Sequence, residues 1–276
     1  VEIKIELEKT LEENAARYFE KSKKAKHKAK AARTALTEMK KKLELAKKQS
    51  LQETFKPEKK RDKQWFEKFH WMFTSNKLLV IGGRDSKQNE LIIKKYTAPN
   101  DLFFHAEIQG APHCILKCTD RNPKEQDKKE AATFAAIFSK AWKLGYASID
   151  VYSAKPEQLS KKAPSGEALG TGAFMVYGKR EWFRNTELRA AIGVEIVDEN
   201  TCRIISGPIS AVSSHTKYWL ELVPDGNEKG KLAKIVKKEL ETKLAKKGIK
   251  IVLNLDEIIA MLPNGKSRIH SSTPNE

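Results

Sequence analysis

The chain has 276 residues, 39% of them hydrophobic, which suits a globular core diluted by solvated helix and leaves room for one large domain or two smaller units. Its 53 Lys and Arg against 36 Asp and Glu give a formal net charge of +17, and such a surplus points first to nucleic acid, whose phosphates release counterions when neutralised. A membrane partner is not expected: the basic stretch lacks a bulky apolar face, no apolar run approaches the ~20 residues that span a bilayer, and no signal peptide opens the chain.

Residues 10–57 read as one long helix. Leu11, Ala15, Tyr18, Ser22, Ala25, Ala29, Ala32, Leu36, Met39, Leu43 and Ala46 recur at steps of 4 and 3, the 3.5-residue period of a coiled-coil seam. One helix cannot bury its own seam, so a partner helix is expected from a missing N-terminal region or from a second copy. The start at Val1 instead of methionine is what a fragment would show. Lys21–Arg33 carries seven basic residues and no acid, as a solvated flank or as a phosphate-facing one. Pro57 ends the helix.

From Trp65 the pattern turns to mixed β and α, and Trp65, Phe66, Phe69, Trp71 and Phe73 read as a core cluster. Strands are expected at 77–82, 90–96, 102–107 and 113–118. Between the first two, Gly82–Glu90 then becomes an oversized hairpin loop. It is richer than turning requires, with Arg84, Gln88 and Asn89 as planar hydrogen-bonding heads, and so a candidate recognition surface. Cys114 and Cys118 have no second pair at zinc-ligand spacing, and with Cys202 they make an odd number. They are read as ordinary half-buried thiols in a reducing, cytoplasmic compartment.

Residues 125–143 form an amphipathic helix, followed by strands at 148–153, 173–177, 194–198, 203–206 and 217–222. Pro224-Asp225-Gly226 reads as a turn into a Lys-rich helix at 228–247, then a strand at 249–253, a short helix at 256–262 and a frayed tail from Pro263. The order predicts an α+β fold: a long N-terminal coiled-coil helix and then a mainly antiparallel sheet with packed helices. The divisions are a coiled-coil arm at 1–62, an α+β domain at 63–224 and a C-terminal extension at 225–276.

The second informative segment is Ser160–Gly172, a long loop with three glycines, Pro164 and small hydroxyls. With Lys161, Lys162, Lys179 and Arg180 it could line an anion site, although no Gly-x4-Gly-Lys-Ser/Thr is present. His105, Glu107 and His113 lie close in sequence. No Gly-x-Ser-x-Gly elbow, His-Glu-x-x-His or carboxylate cluster accompanies them, and His105 is expected to bond a neighbouring turn. The chain is therefore read as a non-enzyme without cofactor or metal.

Several spaced segments resemble the NFACT family of ribosome-associated quality-control factors. They are Leu11–Phe19, Trp65–Phe69, Gly82–Glu90, His105-Ala106-Glu107 through Gly110-Ala111, Gln158–Lys161, Ala163–Glu167 and Phe174–Arg180. Together they cover about residues 7–225. The resemblance implies a coiled-coil arm plus the family's R domain, thought to bind RNA. It also implies partners: tRNA, rRNA and large ribosomal subunits carrying stalled nascent chains. Arg84, Lys87, Lys161, Lys162, Lys179 and Arg180 are then the expected phosphate contacts. Gln88, Asn89 and His105 shape or read the site, and Asp85 and Ser165 complete the set. The alternative is a coiled-coil docking scaffold whose globular part is structural.

Overall fold

The computed structural model describes residues 5–6, 8–52, 62–118, 121–162, 169–198, 201–249 and 251–270; for 44–52 it describes the backbone alone. The chain divides into two compact units, Val1–Pro57 and Glu58–Glu276.

The first unit is built on α1 (Leu11–Gln52), 42 residues and so about 63 Å long at ~1.5 Å per residue. Thr10 and Glu13 start it with a reciprocal capping box: Glu13 N–H donates to Thr10 Oγ1 (3.3 Å) and Thr10 N–H to Glu13 Oε2 (2.9 Å). Buried Asn14 ties the preceding turn to the helix by accepting from Glu6 N–H and donating to the Glu6 and Lys9 carbonyls. The seam side chains Leu11, Leu36, Met39 and Leu43 are exposed, as is Phe19 (76%). The expected last turns, 53–57, lie outside the described residues.

The second unit is α+β, and every strand pair in it is antiparallel. Strands β1 (His70–Phe73), β2 (Leu79–Gly82), β3 (Leu102–Ala106), β4 (Cys114–Leu116), β5 (Ser148–Ala154) and, later in the chain, β8 (Glu181–Glu187) form a six-stranded sheet in the order β1-β2-β4-β3-β5-β8. Between β2 and β3 runs α2 (Ser86–Lys95), and after β4 come α3 (Glu125–Ile137) and α4 (Lys140–Lys143). A ribbon of β6 (Leu159–Ser160) and β7 (Met175–Val176) precedes β8. The remaining elements are β9 (Ala190–Ile196), β10 (Cys202–Gly207), α5 (Ile209–His215), β11 (Trp219–Asn227), α6 (Lys229–Ala245), α7 (Leu255–Met261) and β12 (Ser267–Ile269), with a second sheet in the order β10-β9-β11-β12.

The core lies where α3 crosses the first sheet. Ala131, Phe134 and Ala135 are fully buried against Phe104, Ala106 and Val151, and Phe104 meets Phe183 across the sheet at 5.8 Å between ring centroids. The alternation along β3 and β5 therefore sends Phe103, His105 and Tyr152 to the opposite face.

Several expectations change. Residues 90–95 are helix, not strand, because Asp85 caps α2: its Oδ1 accepts from Gln88 N–H (2.8 Å) and the apolar Leu91-Ile92-Ile93 run continues on a helical period. The 125–143 helix is broken at Ser139, whose Oγ accepts from Ala141 N–H and starts α4 afresh. Strand β11 runs through Pro224-Asp225-Gly226 as a bulge, with Asp225 at φ 75°, instead of turning there. Residues 249 and 251–253 carry no ladder. The supposed tail supplies β12, held by Leu222↔Ile269 pairing and by a buried Trp142 Nε1–H to Ser267 Oγ bond of 2.9 Å. Strands β1, β6 and β8 and helix α5 fall outside the elements expected from the sequence. The aromatic cluster is core at Phe66, Phe69 and Trp71, while Trp65 is exposed and stacks on Tyr96 (5.1 Å, 7° between planes).

Candidate nucleic-acid interface

The two segments singled out by sequence meet at one carboxylate. Glu90, on α2, accepts from Lys94 Nζ (2.7 Å), Lys161 Nζ (3.0 Å) and Gly172 N–H (2.8 Å). These bonds, Lys94 first, hold its carboxyl well below the usual range, at about 2. Gly172 has φ +79°, and a Cβ there would lie 2.5 Å from Ser86 O, so only glycine lets the backbone at this residue lie against the first turn of α2. Lys161 also donates to Gly170 O (3.2 Å) and sits 4.5 Å from the Phe174 ring centroid.

Within Gly82–Glu90 the polar heads face inward. All three Arg84 nitrogens are engaged: Nε donates to Lys68 O (3.2 Å), Nη2 to Phe69 O (2.9 Å) and Nη1 to Ala260 O (3.1 Å). Arg84, expected as a phosphate contact, thus holds three backbone carbonyls. Gln88 closes the same corner, accepting from Arg84 N–H (3.1 Å) and donating to Lys68 O (3.3 Å). Asn89 Oδ1 accepts from His113 N–H (3.0 Å), and a Cβ on Gly83 would lie 2.1 Å from that oxygen. Asp85, exposed like Lys87, is the N-cap of α2.

The opposite face of the sheet carries a row of rings. The pairings His105↔Tyr152 and Tyr152↔Trp182 set three side chains abreast, with centroids 5.9 and 5.4 Å apart. His113 extends the row, 5.2 Å from His105 and 5.6 Å from Phe174. Cations lie over three of these rings: Arg180 on Tyr152 (4.6 Å), Arg184 on Trp182 (3.9 Å) and Lys161 on Phe174 (4.5 Å). Arg180 also donates to Val176 O (3.3 Å). Beside the row, exposed Lys162 and Lys179 sit on the β6–β7 ribbon. Tyr177 Oη donates to Lys162 O (2.8 Å) and Gln158 Nε2 to Lys179 O (2.8 Å).

His105 Nδ1 bonds Pro112 O (3.1 Å), and since a carbonyl only accepts, Nδ1 carries the proton. Burial lowers the pKa of His105, the Pro112 bond opposing and Arg180 adding to it. Burial, then His105 and Lys161, bring His113 down to about 3. Both rings are therefore neutral near pH 7, and neither hydrogen-bonds a carboxylate among the described residues. Glu107, past the end of β3, is exposed. Ser165 lies outside the described residues. The structure thus brings together His105, Lys161, Lys162, Lys179 and Arg180, while Arg84, Asp85, Gln88 and Asn89 hydrogen-bond nearby backbone. Sequence reasoning missed Tyr152, Phe174, Trp182 and Arg184, whose shared face depends on strand register. Among the described residues no three His, Cys, Asp or Glu side chains group as metal ligands, and no helix is long and apolar enough to cross a membrane.

Residues 68–178 match the NFACT protein RNA binding domain. The chain is 43% identical over 194 residues to the archaeal Rqc2 homolog aRqcH of Methanocaldococcus jannaschii, covering 70% of this chain and 28% of that protein. It is 36% identical over 173 residues to ribosome quality control complex subunit NEMF of Homo sapiens, covering 61% and 16% respectively. The C-terminal part of the fibronectin/fibrinogen-binding protein from Streptococcus suis superposes with a TM-score of 0.37 at 22% identity, over 64% of this chain and 77% of that one. The chain thus spans 28% or less of the length of these curated relatives. The match over residues 68–178 and the identity to the archaeal homolog agree: the chain is similar to proteins of the NFACT family.

Proposed function

We propose that this chain is the RNA-binding part of a ribosome quality control factor, and that it takes up tRNA or rRNA on large ribosomal subunits. The observation that carries the reading is the ring row with a cation over Tyr152, Trp182 and Phe174, with exposed Lys162 and Lys179 beside it and exposed Lys87 on the first turn of α2. Lysines at a rim contact phosphates and fix register without reading sequence, while rings and guanidinium planes accept unstacked bases. This suits a ligand recognised by shape. The neutral histidines without carboxylate partners favour binding over acid–base chemistry. The quality-control role is carried over from the names of the relatives.

Co-sedimentation with large ribosomal subunits at physiological salt tests the reading. Wild type should pellet with the subunits, and Lys87→Ala/Lys162→Ala/Lys179→Ala should bind on the order of tenfold more weakly. A second reading, the coiled-coil docking scaffold, is favoured by the exposed Leu36, Met39 and Leu43 on α1. Unchanged binding by the triple variant, together with loss of binding on removal of residues 1–60, would replace the first reading with the second.

A further inference from the structure

Helix α6 is basic along one line. Leu232, Val236, Leu240 and Leu244 bury one face of it at 1% exposure or less. At ~3.6 residues per turn the opposite ridge is Lys231, Lys234, Lys238, Thr242 and Ala245, all exposed and none of them an acid. Among the described residues the helix makes one internal ion pair, Lys237 with Glu241 (3.7 Å), and the ridge lysines make none. Glu241 is held further by Leu253 N–H (3.0 Å). Lys231 and Lys234 stand at i, i+3, and Lys234 and Lys238 at i, i+4, spacings at which like charges destabilise a helix. A polyanion laid along the ridge removes that cost.

The same charge continues on the neighbouring elements. Lys266, in the turn before β12, faces Glu228 at 3.7 Å, and Lys229 Nζ donates to Asn264 Oδ1 (3.3 Å), so this turn lies against the start of α6. It also meets α4: a Cβ on Gly265 would lie 2.8 Å from Lys143 Cα. The start of α4 reaches Gly110, where a Cβ would lie 3.7 Å from the Lys140 side chain. Gly110 is two residues before Pro112, whose carbonyl receives His105 Nδ1–H. Lys140, Lys143 and Lys266 are exposed. Contact by contact, lysines thus follow one another from the turn beside the ring row, over α4, to α6. Lys231, Lys234, Lys238 and Lys266 lie beyond residue 178, where the match with the RNA binding domain ends.

We propose that the α6 ridge, with Lys266, Lys143 and Lys140, is a second RNA surface that binds the phosphates of the strand leaving the ring row. Lys231 and Lys238 are about 10 Å apart along the helix axis, which spans about three phosphates at ~3.4 Å of axis each. A lipid surface does not fit, because the apolar face of α6 is buried in the core. A protein partner fits poorly too: interfaces between proteins are depleted in lysine and centred on apolar anchors, and the ridge presents no large apolar side chain. The proposal rests on the RNA reading above for its ligand, and on different residues.

Binding of tRNA by the full chain over a salt series tests this in Lys231→Gln/Lys234→Gln/Lys238→Gln. Gln matches Lys in helix propensity, so the variant should unfold like wild type. Affinity should fall on the order of tenfold and the slope of log affinity against log salt should become shallower by about 2, at about 0.7 per contact. The matching triple Arg variant should keep both. In wild type, tRNA should slow acetylation of Lys234 and Lys238, read by mass spectrometry. Equal acetylation with and without tRNA, or an unchanged slope in the Gln variant, overturns the proposal. So does equal protection by polyglutamate or by anionic lipid vesicles, which would assign the ridge to an acidic protein or a membrane. Weaker binding by the α6 variant beside unchanged binding by Lys87→Ala/Lys162→Ala/Lys179→Ala would strike the ring-row contacts and leave this surface standing; the reverse overturns this surface alone.

Discussion

Arg84→Ala separates what a residue looks like from what it does. In the sequence it stands among polar heads after two glycines, as a ligand contact would. In the fold its guanidinium joins the carbonyls of Lys68, Phe69 and Ala260, at 3.2, 2.9 and 3.1 Å, and so pins the entry to β1 against α7. A hydrogen bond to a charged group contributes about 1.5–3 kcal/mol, and three on one side chain are not additive. The loss should therefore be about 3–4 kcal/mol. For a unit of this size about 2–4 °C accompanies each kcal/mol, so the unfolding midpoint should fall by about 6–16 °C. Thermal and urea unfolding followed by near-UV dichroism would measure it, Trp71 reporting from the same corner. Arg84→Lys, whose ammonium cannot span three carbonyls, should fall between. A midpoint within about 2 °C of wild type, with RNA affinity sharply reduced, would refute the clamp and restore Arg84 as a ligand contact.

Glu90→Gln should loosen Lys161 and Gly172 from α2, read as faster exchange of the Gly172 amide at pH 7. In wild type the Glu90 carboxyl is depressed from 4.5 to about 2, so its contribution is fully present above pH 4.5 and lost as pH falls through about 2. Protection of the Gly172 amide that is flat across that window would contradict this. Gly172→Ala should cost about 1–2 kcal/mol from the positive φ alone, with more from the contact 2.5 Å away at Ser86 O. Urea midpoints equal to wild type would show that Gly172 does not lie against Ser86.

Much of the fold is legible in the sequence, because long periodic segments leave little choice. The 4,3 spacing of α1 and the apolar faces of α3 and α6 appear as helices, and β2, β3, β4 and β5 as strands. The misreadings have local causes. Leu91-Ile92-Ile93 suits a strand as well as a helix, and only Asp85-x-x-Gln88 ahead of it marks a capped helix start. Strand β8, Glu-Trp-Phe-Arg-Asn-Thr-Glu, lies at a sheet edge and alternates weakly. Strand β12 is three residues long and exists because β11 offers it an edge. The site divides in the same way. Lys161, Lys162, Lys179 and Arg180 announce themselves by charge, whereas Tyr152 and Trp182 become neighbours of His105 only through register. The carbonyls that claim Arg84 are 15, 16 and 176 residues away, a relation no local pattern encodes.

The phosphate contact proposed for this chain lies at Lys162 and Lys179, beside the ring row, and at Lys87 on α2. Its most direct measurement is the slope of log affinity against log salt for tRNA, wild type against Lys87→Ala/Lys162→Ala/Lys179→Ala. Each phosphate contact to a single strand contributes about 0.7 to that slope, so the triple variant should be shallower by about 2. An unchanged slope and affinity, in a variant that unfolds like wild type, would place the RNA elsewhere on the molecule.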